Sequence, residues 1–234
     1  MKRLALVSVF LLLFVPLPAL ADTIDFNAQN LTGVTWSWGG MGTPLTATGD
    51  SVQASPVPPN GSSVLLDLLT FTTGNASGTG TLAGQTFTIF DPSGSSVGVS
   101  SDPLDTLQFA CTSNVCFTGQ FVSAQLLGGV GTGDLSFIAT FVLGTLDAAL
   151  LDALNLPSDI TTATGTLTAT LSLDSGLTFD GEGCLNAEQE RVTCTGSFGS
   201  ADLQVTTVPE PGTVTLLGTG VLALAGFLRR KFRS

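Results

Sequence analysis

The chain has 234 residues, with 7 Lys and Arg, 18 Asp and Glu and no His, for a formal net charge of −11. The bases stand at the two ends, so residues 22–208 hold seventeen acids against Arg191 alone, with no Tyr and no Lys. That balance excludes a His-based triad and a His-ligated metal, and it argues against nucleic acid as a partner, since a phosphate-binding groove needs Lys and Arg.

Residues 1–21 read as a signal peptide. Lys2 and Arg3 form a positive start, Leu4–Val15 an apolar stretch, and Pro16 and Pro18 break it ahead of Ala19-Leu20-Ala21. Small side chains at Ala19 and Ala21 fit the subsites of a signal peptidase, which places cleavage after Ala21 and the body outside the cytoplasm.

Residues 22–207 read as a single all-β domain, an antiparallel β-sandwich or jelly roll with one short helix. Trp36 and Trp38 come first. Two apart on a strand, they share a face: exposed they would offer a platform to a sugar ring, buried they are core. Gly42–Ser63, rich in Pro, Ser and Thr, reads as a mobile loop. Strand runs follow at Val64–Thr72, Thr81–Phe90, Asp134–Leu143, Thr164–Leu173 and Leu203–Thr207, with turns expected at Pro56–Asn60, Gly74–Gly80, Asp91–Gly94, Gly128–Gly133 and Asp174–Gly176. The clearest run is Thr164–Leu173, where Leu167, Ala169, Leu171 and Leu173 alternate with Thr166, Thr168, Thr170 and Ser172. A row of threonines can order water, as ice-binding surfaces do, and Thr is equally a good solvent-facing strand residue.

Cys111, Cys116, Cys184 and Cys194 are an even number in an exported body, which predicts disulfides. Their spacing favours the local pairs Cys111–Cys116 and Cys184–Cys194. A zinc site is the alternative, but the usual CxxC spacing is absent. Leu146–Leu156 spaces Leu146, Ala149, Leu150, Ala153 and Leu154 as one helical face, with Asp147 and Asp152 left to solvent and Pro157 as the stop. It predicts a short helix over an open end of the sheet.

Proton transfer in such a body falls to carboxylates, and Asp180 and Glu182 in FDGEG are the nearest candidates for a two-carboxylate glycosidase. The same sequence reads as a solvated turn. Asp174, Asp180 and Glu182 are also weak candidates for Ca²⁺, with Asp102 and Asp105 as a further pair, but no EF-hand loop or calcium-binding repeat accompanies them. The reading is a chain that is not an enzyme and needs no cofactor, Ca²⁺ being the one candidate.

The last part divides into a hinge, 208–212, an apolar segment, 213–228, and a basic end, 229–234. Pro209-Glu210-Pro211 continues neither helix nor strand. Thr213–Leu228 carries no charge, and as a helix it rises about 24 Å, enough with flanking snorkelling to cross a hydrocarbon core of ~30 Å. Arg229, Arg230, Lys231 and Arg233 then stay cytoplasmic, with the body on the far side of the inner membrane.

A Pro-Glu-Pro hinge, a short apolar helix and an Arg-rich end, together with a signal peptide, resemble the PEP-CTERM sorting signal of Gram-negative bacteria, also catalogued as an ice-binding-protein C-terminal domain. The resemblance covers about residues 208–234. It implies recognition near Pro209-Glu210-Pro211 by an exosortase, a membrane protease-transpeptidase, and association with an exopolysaccharide matrix. The resulting expectation is an exported structural or adhesive protein of the cell surface or matrix, anchored in the inner membrane before processing. A glycan- or Ca²⁺-binding β-sandwich is the alternative, with an ice-binding protein or a glycosidase behind it.

Overall fold

A computed structural model describes residues 23–29, 35–57, 62–102, 108–129, 133–156 and 163–207. The expected signal peptide with Ala19 and Ala21, the Pro209–Pro211 hinge, the apolar segment 213–228 and the basic residues Arg229, Arg230, Lys231 and Arg233 lie outside the described residues. Among those described, no helix is long and apolar enough to cross a membrane.

Among the described residues, the body has thirteen strands and one short helix. In chain order they are β1 (Thr23–Gln29), β2 (Thr35–Trp38), β3 (Pro44–Val57), β4 (Val64–Leu82), β5 (Gln85–Phe90), β6 (Ser96–Ser100), β7 (Val115–Gly128), β8 (Asp134–Leu146), α1 (Ala148–Ala153), β9 (Ala163–Leu173), β10 (Thr178–Phe179), β11 (Cys184–Leu185), β12 (Arg191–Val192) and β13 (Cys194–Thr207). All pairings are antiparallel.

The expected all-β, antiparallel body with one helix is what the structure shows. Its ten long strands are not split into two facing sheets, however. They form one sheet whose extra pairings β1–β13, β3–β4 and β6–β7 close it on itself. Around the ring run β3, β4, β7, β8, β9 and β13, and two further positions are each filled by two strands lying end to end. β1 and β2 share the place between β13 and β3. β5 and β6 share the place between β4 and β7. A ring of about eight strands leaves an interior just wide enough for side chains to fill, and closure removes the exposed edges that invite aggregation.

Alternation fills that interior. Leu167, Ala169 and Leu171 of β9, Leu135, Phe137, Ala139 and Phe141 of β8, and Ile24, Phe26 and Ala28 of β1 all point inward. The aromatic core forms three tiers along the axis. Phe26 and Phe141 flank Phe117 with ring centroids 5.7 and 5.4 Å from it. Phe71, Phe121 and Phe137 pack mutually at 4.7–6.1 Å. Trp38 meets Phe90 edge-on at 5.7 Å and Phe179 at 6.2 Å.

Two segments read from sequence as irregular are strand. The first is Gly42–Ser63, most of which is β3. Leu45 and Ala47 face inward, but after Asp50-Ser51 the inward set becomes Val52 and Ala54. Ser51 takes a positive φ of 59° at that change of phase. β4 changes phase at the same level, between Leu66 and Leu69. A period-2 pattern that slips by one in its middle does not look like a strand when scanned as a whole. The second is Gly74–Gly80, through which β4 runs unbroken. Gly80 makes room rather than a turn: a Cβ there would strike the ring of Phe87, its cross-strand partner on β5.

Each end of the barrel is covered. At the rim where β13 finishes, α1 turns Leu150, Leu151 and Leu154 into the core, as the helical spacing predicted for Leu150 and Leu154. Ala149 is exposed, and Leu151 takes part in its stead. At the opposite rim, β10, β11 and β12 form a small separate sheet that brings Phe179 beneath Trp38. The predicted local disulfides staple both covers. Cys111–Cys116 ties the loop ahead of β7 to the start of that strand beside α1, and Cys184–Cys194 joins the small sheet to β13, with Cα separations of 5.3 and 5.1 Å.

Candidate functional site

The tryptophans lie inside. Trp36 and Trp38 are 2% and 1% exposed. Their indole N–H groups donate to backbone carbonyls, Trp36 to Ser172 and Trp38 to Thr43, both at 3.2 Å. Alternation on β2 sends Thr35 and Ser37 outward instead, so the glycan platform envisaged on this pair is absent and its residues are core. The outer face here is a shallow groove of hydroxyls, including Ser37, Thr46, Thr48 and Ser197. Ser37 and Thr46 share a hydrogen bond of 3.0 Å. The same pairing recurs around the wall between Thr118 and Thr145 and between Ser123 and Thr140, both at 2.7 Å.

The T-x-T repeat of β9 is not matched on β8 or β13, although single hydroxyl residues lie beside it. Thr166 lies between Gln204 and Thr140, Thr168 between Asp202 and Ile138, and Thr170 between Ser200 and Ser136.

Asp105 lies outside the described residues; Asp174, Asp180 and Glu182 do not converge on a common site. Asp180 and Glu182 both grip Arg191, through Asp180 Oδ2 at 2.9 Å and Glu182 Oε2 at 2.8 Å. Asp180 Oδ1 also accepts from the backbone N–H groups of Glu182 and Gly183, each at 3.0 Å. The FDGEG segment is thus a turn closed by its own carboxylate and pinned by the body's one cation. Asp174 instead accepts from the Thr195 hydroxyl at 2.6 Å. Among the described residues, no three of His, Cys, Asp and Glu come together as a metal site, and every cysteine is in a disulfide. Beside Arg191 opens a cleft of about 540 Å³ whose walls include Gly39, Gly40, Met41, Glu182 and Gly183.

One pair of acids was not singled out by the sequence reading. Asp25 on β1 and Asp202 on β13 are diagonal neighbours, because Asp25 pairs with Gln204 and Asp202 with Asn27. The Oδ1 atom of each carboxylate is buried without a hydrogen-bond partner. Burial, then the hydrogen bond to Asp202 and its charge, push the Asp25 carboxyl up to about 6 from an ordinary value of 3.8. In sequence each is simply an outward acid between apolar neighbours, TIDFN and ADLQV, and only the register of the first strand against the last brings them together.

Asp147 behaves in the opposite way. It caps α1, its Oδ1 accepting from the N–H groups of Ala149 at 2.9 Å and Leu150 at 3.2 Å, while Oδ2 accepts from Thr112 N at 3.0 Å. Burial raises its carboxyl, but the hydrogen bonds from Thr112, Leu150 and Ala149 outweigh that and hold it below its ordinary value.

At the C-terminal rim, Thr206 stands between Thr23 of β1 and Thr164 of β9, and Thr207 opposite Ala163. No curated protein matches the chain. No solved structure matches it either. One family model does: where β13 ends, residues 207–231 match the PEP-CTERM protein-sorting motif, so the chain carries the signal of an exported protein sorted at the membrane by an exosortase.

Proposed function

We propose that this is an exported, non-enzymatic structural or adhesive protein of the cell surface or its polysaccharide matrix, held in the inner membrane by residues 213–228 until an exosortase acts near Pro209-Glu210-Pro211. The match over residues 207–231 carries the reading. Its companions are consistent with it. The body is closed and stapled by two disulfides, which suits an oxidising compartment. Its outer wall presents Thr and Ser hydroxyls that suit hydrogen bonding to hydrated glycans. Asp180 and Glu182, the best candidates for glycoside chemistry, are engaged by Arg191 instead of facing each other across an open cleft.

Mass spectrometry of the membrane and secreted fractions tests this. The expected mature species begins at Asp22 and lacks the residues beyond the Pro-Glu-Pro hinge, and substituting Pro209, Glu210 and Pro211 by Ala retains the full-length chain in the membrane. Recovery of the intact chain as a soluble protein overturns the proposal.

A further inference from the structure

The strand that completes the ring on the N-terminal side, β1, contributes Ile24, Phe26 and Ala28 to the core and pairs with β3 and β13 over its whole length. Its outward residues face a neutral polar neighbourhood with one exception. Around Asp25 stand Ser55 and Gln53 of β3, Asn27 of β1 itself, Gln204 of β13, and Thr166 and Thr168 of β9 one strand further. None of these is titratable or cationic. Arg191, the body's one base, is on β12 at the other rim, bound to Asp180 and Glu182. Against this background two carboxyl groups, Asp25 and Asp202, lie diagonally across the β1–β13 ladder, each with a buried, unpartnered oxygen.

We propose that Asp25 and Asp202 are a pH-operated latch on the seam between the first and last strands, joined through a shared proton in acid and pushed apart when both are charged. A carboxyl–carboxylate hydrogen bond satisfies groups that otherwise have nothing to bind. Once that proton is gone, two like charges remain as diagonal neighbours with no cation beside them among the described residues, and such a pair across a ladder is destabilising. The position of Asp25 on the pH scale agrees, since its carboxyl titrates at about 6 instead of the ordinary 3.8. A proton held more tightly in the folded than in the unfolded chain adds stability in full below pH 3.8, and that contribution is lost as pH rises through about 6. The loss is local. β1 keeps its ladder to β3 and its three buried side chains, so the outcome is looser pairing along the β1–β13 seam with the rest of the barrel intact.

Hydrogen exchange on the full-length chain in detergent, at pH 5 and pH 8 and corrected for intrinsic exchange chemistry, reads this directly. In the wild type, amides of residues 24–28 and 201–205 should open several-fold more often at pH 8, while the β7–β8 ladder keeps the same protection. In Asp202→Asn and in Asp25→Asn the pH dependence of the seam should vanish. Carboxyl ¹³C shifts of the wild type provide a second measurement, with an expected Asp25 midpoint near 6. Equal seam protection at both pH values, a pH dependence that persists in both variants, or an Asp25 midpoint at or below the ordinary 3.8 overturns the latch.

Discussion

The two rims of the barrel solve one problem in different ways. A closed sheet filled with Phe and Leu must cover its ends or expose its core to water. At the C-terminal rim the cover is helical: α1 lowers Leu150, Leu151 and Leu154 into the opening, and Asp147 holds its start against the Cys111–Cys116 loop. At the far rim the cover is the β10–β12 sheet, which inserts Phe179 under Trp38 and is tied by Cys184–Cys194 and the Arg191 cluster. A helix or sheet of this size is not stable alone; the small sheet is tied directly by its disulfide, while α1 is held through Asp147 to a loop that a disulfide closes. They differ in where the binding energy resides. The far cover leans on one large aromatic contact, the near cover on several aliphatic ones and a polar cap.

That contrast can be broken in steps. Trp38→Ala removes the largest side chain at the far rim and should cost about 3–5 kcal/mol in denaturant unfolding. Leu150→Ala should cost about 2–4 kcal/mol, because Leu151 and Leu154 still plug the near rim. Replacing Cys184 and Cys194 together by Ser should cost roughly 2–3 kcal/mol, and more than replacing Cys111 and Cys116, since the sequence separation is 10 residues against 5. If the shorter loop proves the costlier to open, the near rim depends on its staple more than its packing implies. Asp147→Ala should lose about 1 kcal/mol at neutral pH. The wild type should lose the same contribution as pH falls through the depressed value of this carboxyl, so the variant and wild-type stabilities converge in acid. Smallest of all, Arg191→Ala should change stability by less than about 1 kcal/mol, since Arg191 is 51% and Glu182 59% exposed and water screens their attraction.

Much of this was legible in the sequence where the information is local. β9 announced itself because hydroxyl residues alternate with Leu, Ala or Gly without interruption over its length. The helix was readable from its leucine spacing and from Pro157, and both disulfides from their short separations. The rest depends on partners far along the chain. β3 was hidden by the phase slip at Ser51, and β4 by glycines, of which Gly80 has a purpose, room for Phe87, that is visible only once β5 lies beside it. Trp36 and Trp38 were placed on one face correctly, but alternation alone does not say which face is wet. Ring closure and the Asp25–Asp202 pair both follow from the pairing of the first strand with the last, and no window of sequence contains both.

That same pairing governs when the barrel can exist at all. Of the strands described, residues 23–29 leave the ribosome first, and one of their two neighbours, residues 200–206, belongs to the strand made last. Until it arrives, β1, β2 and β9 each lack a partner, and a gap runs the length of the wall. A chain halted short of Cys194 would expose three raw strand edges over an open apolar interior, the condition in which β proteins aggregate. Completion of the fold therefore certifies delivery of the polypeptide down to the residue where its address label begins.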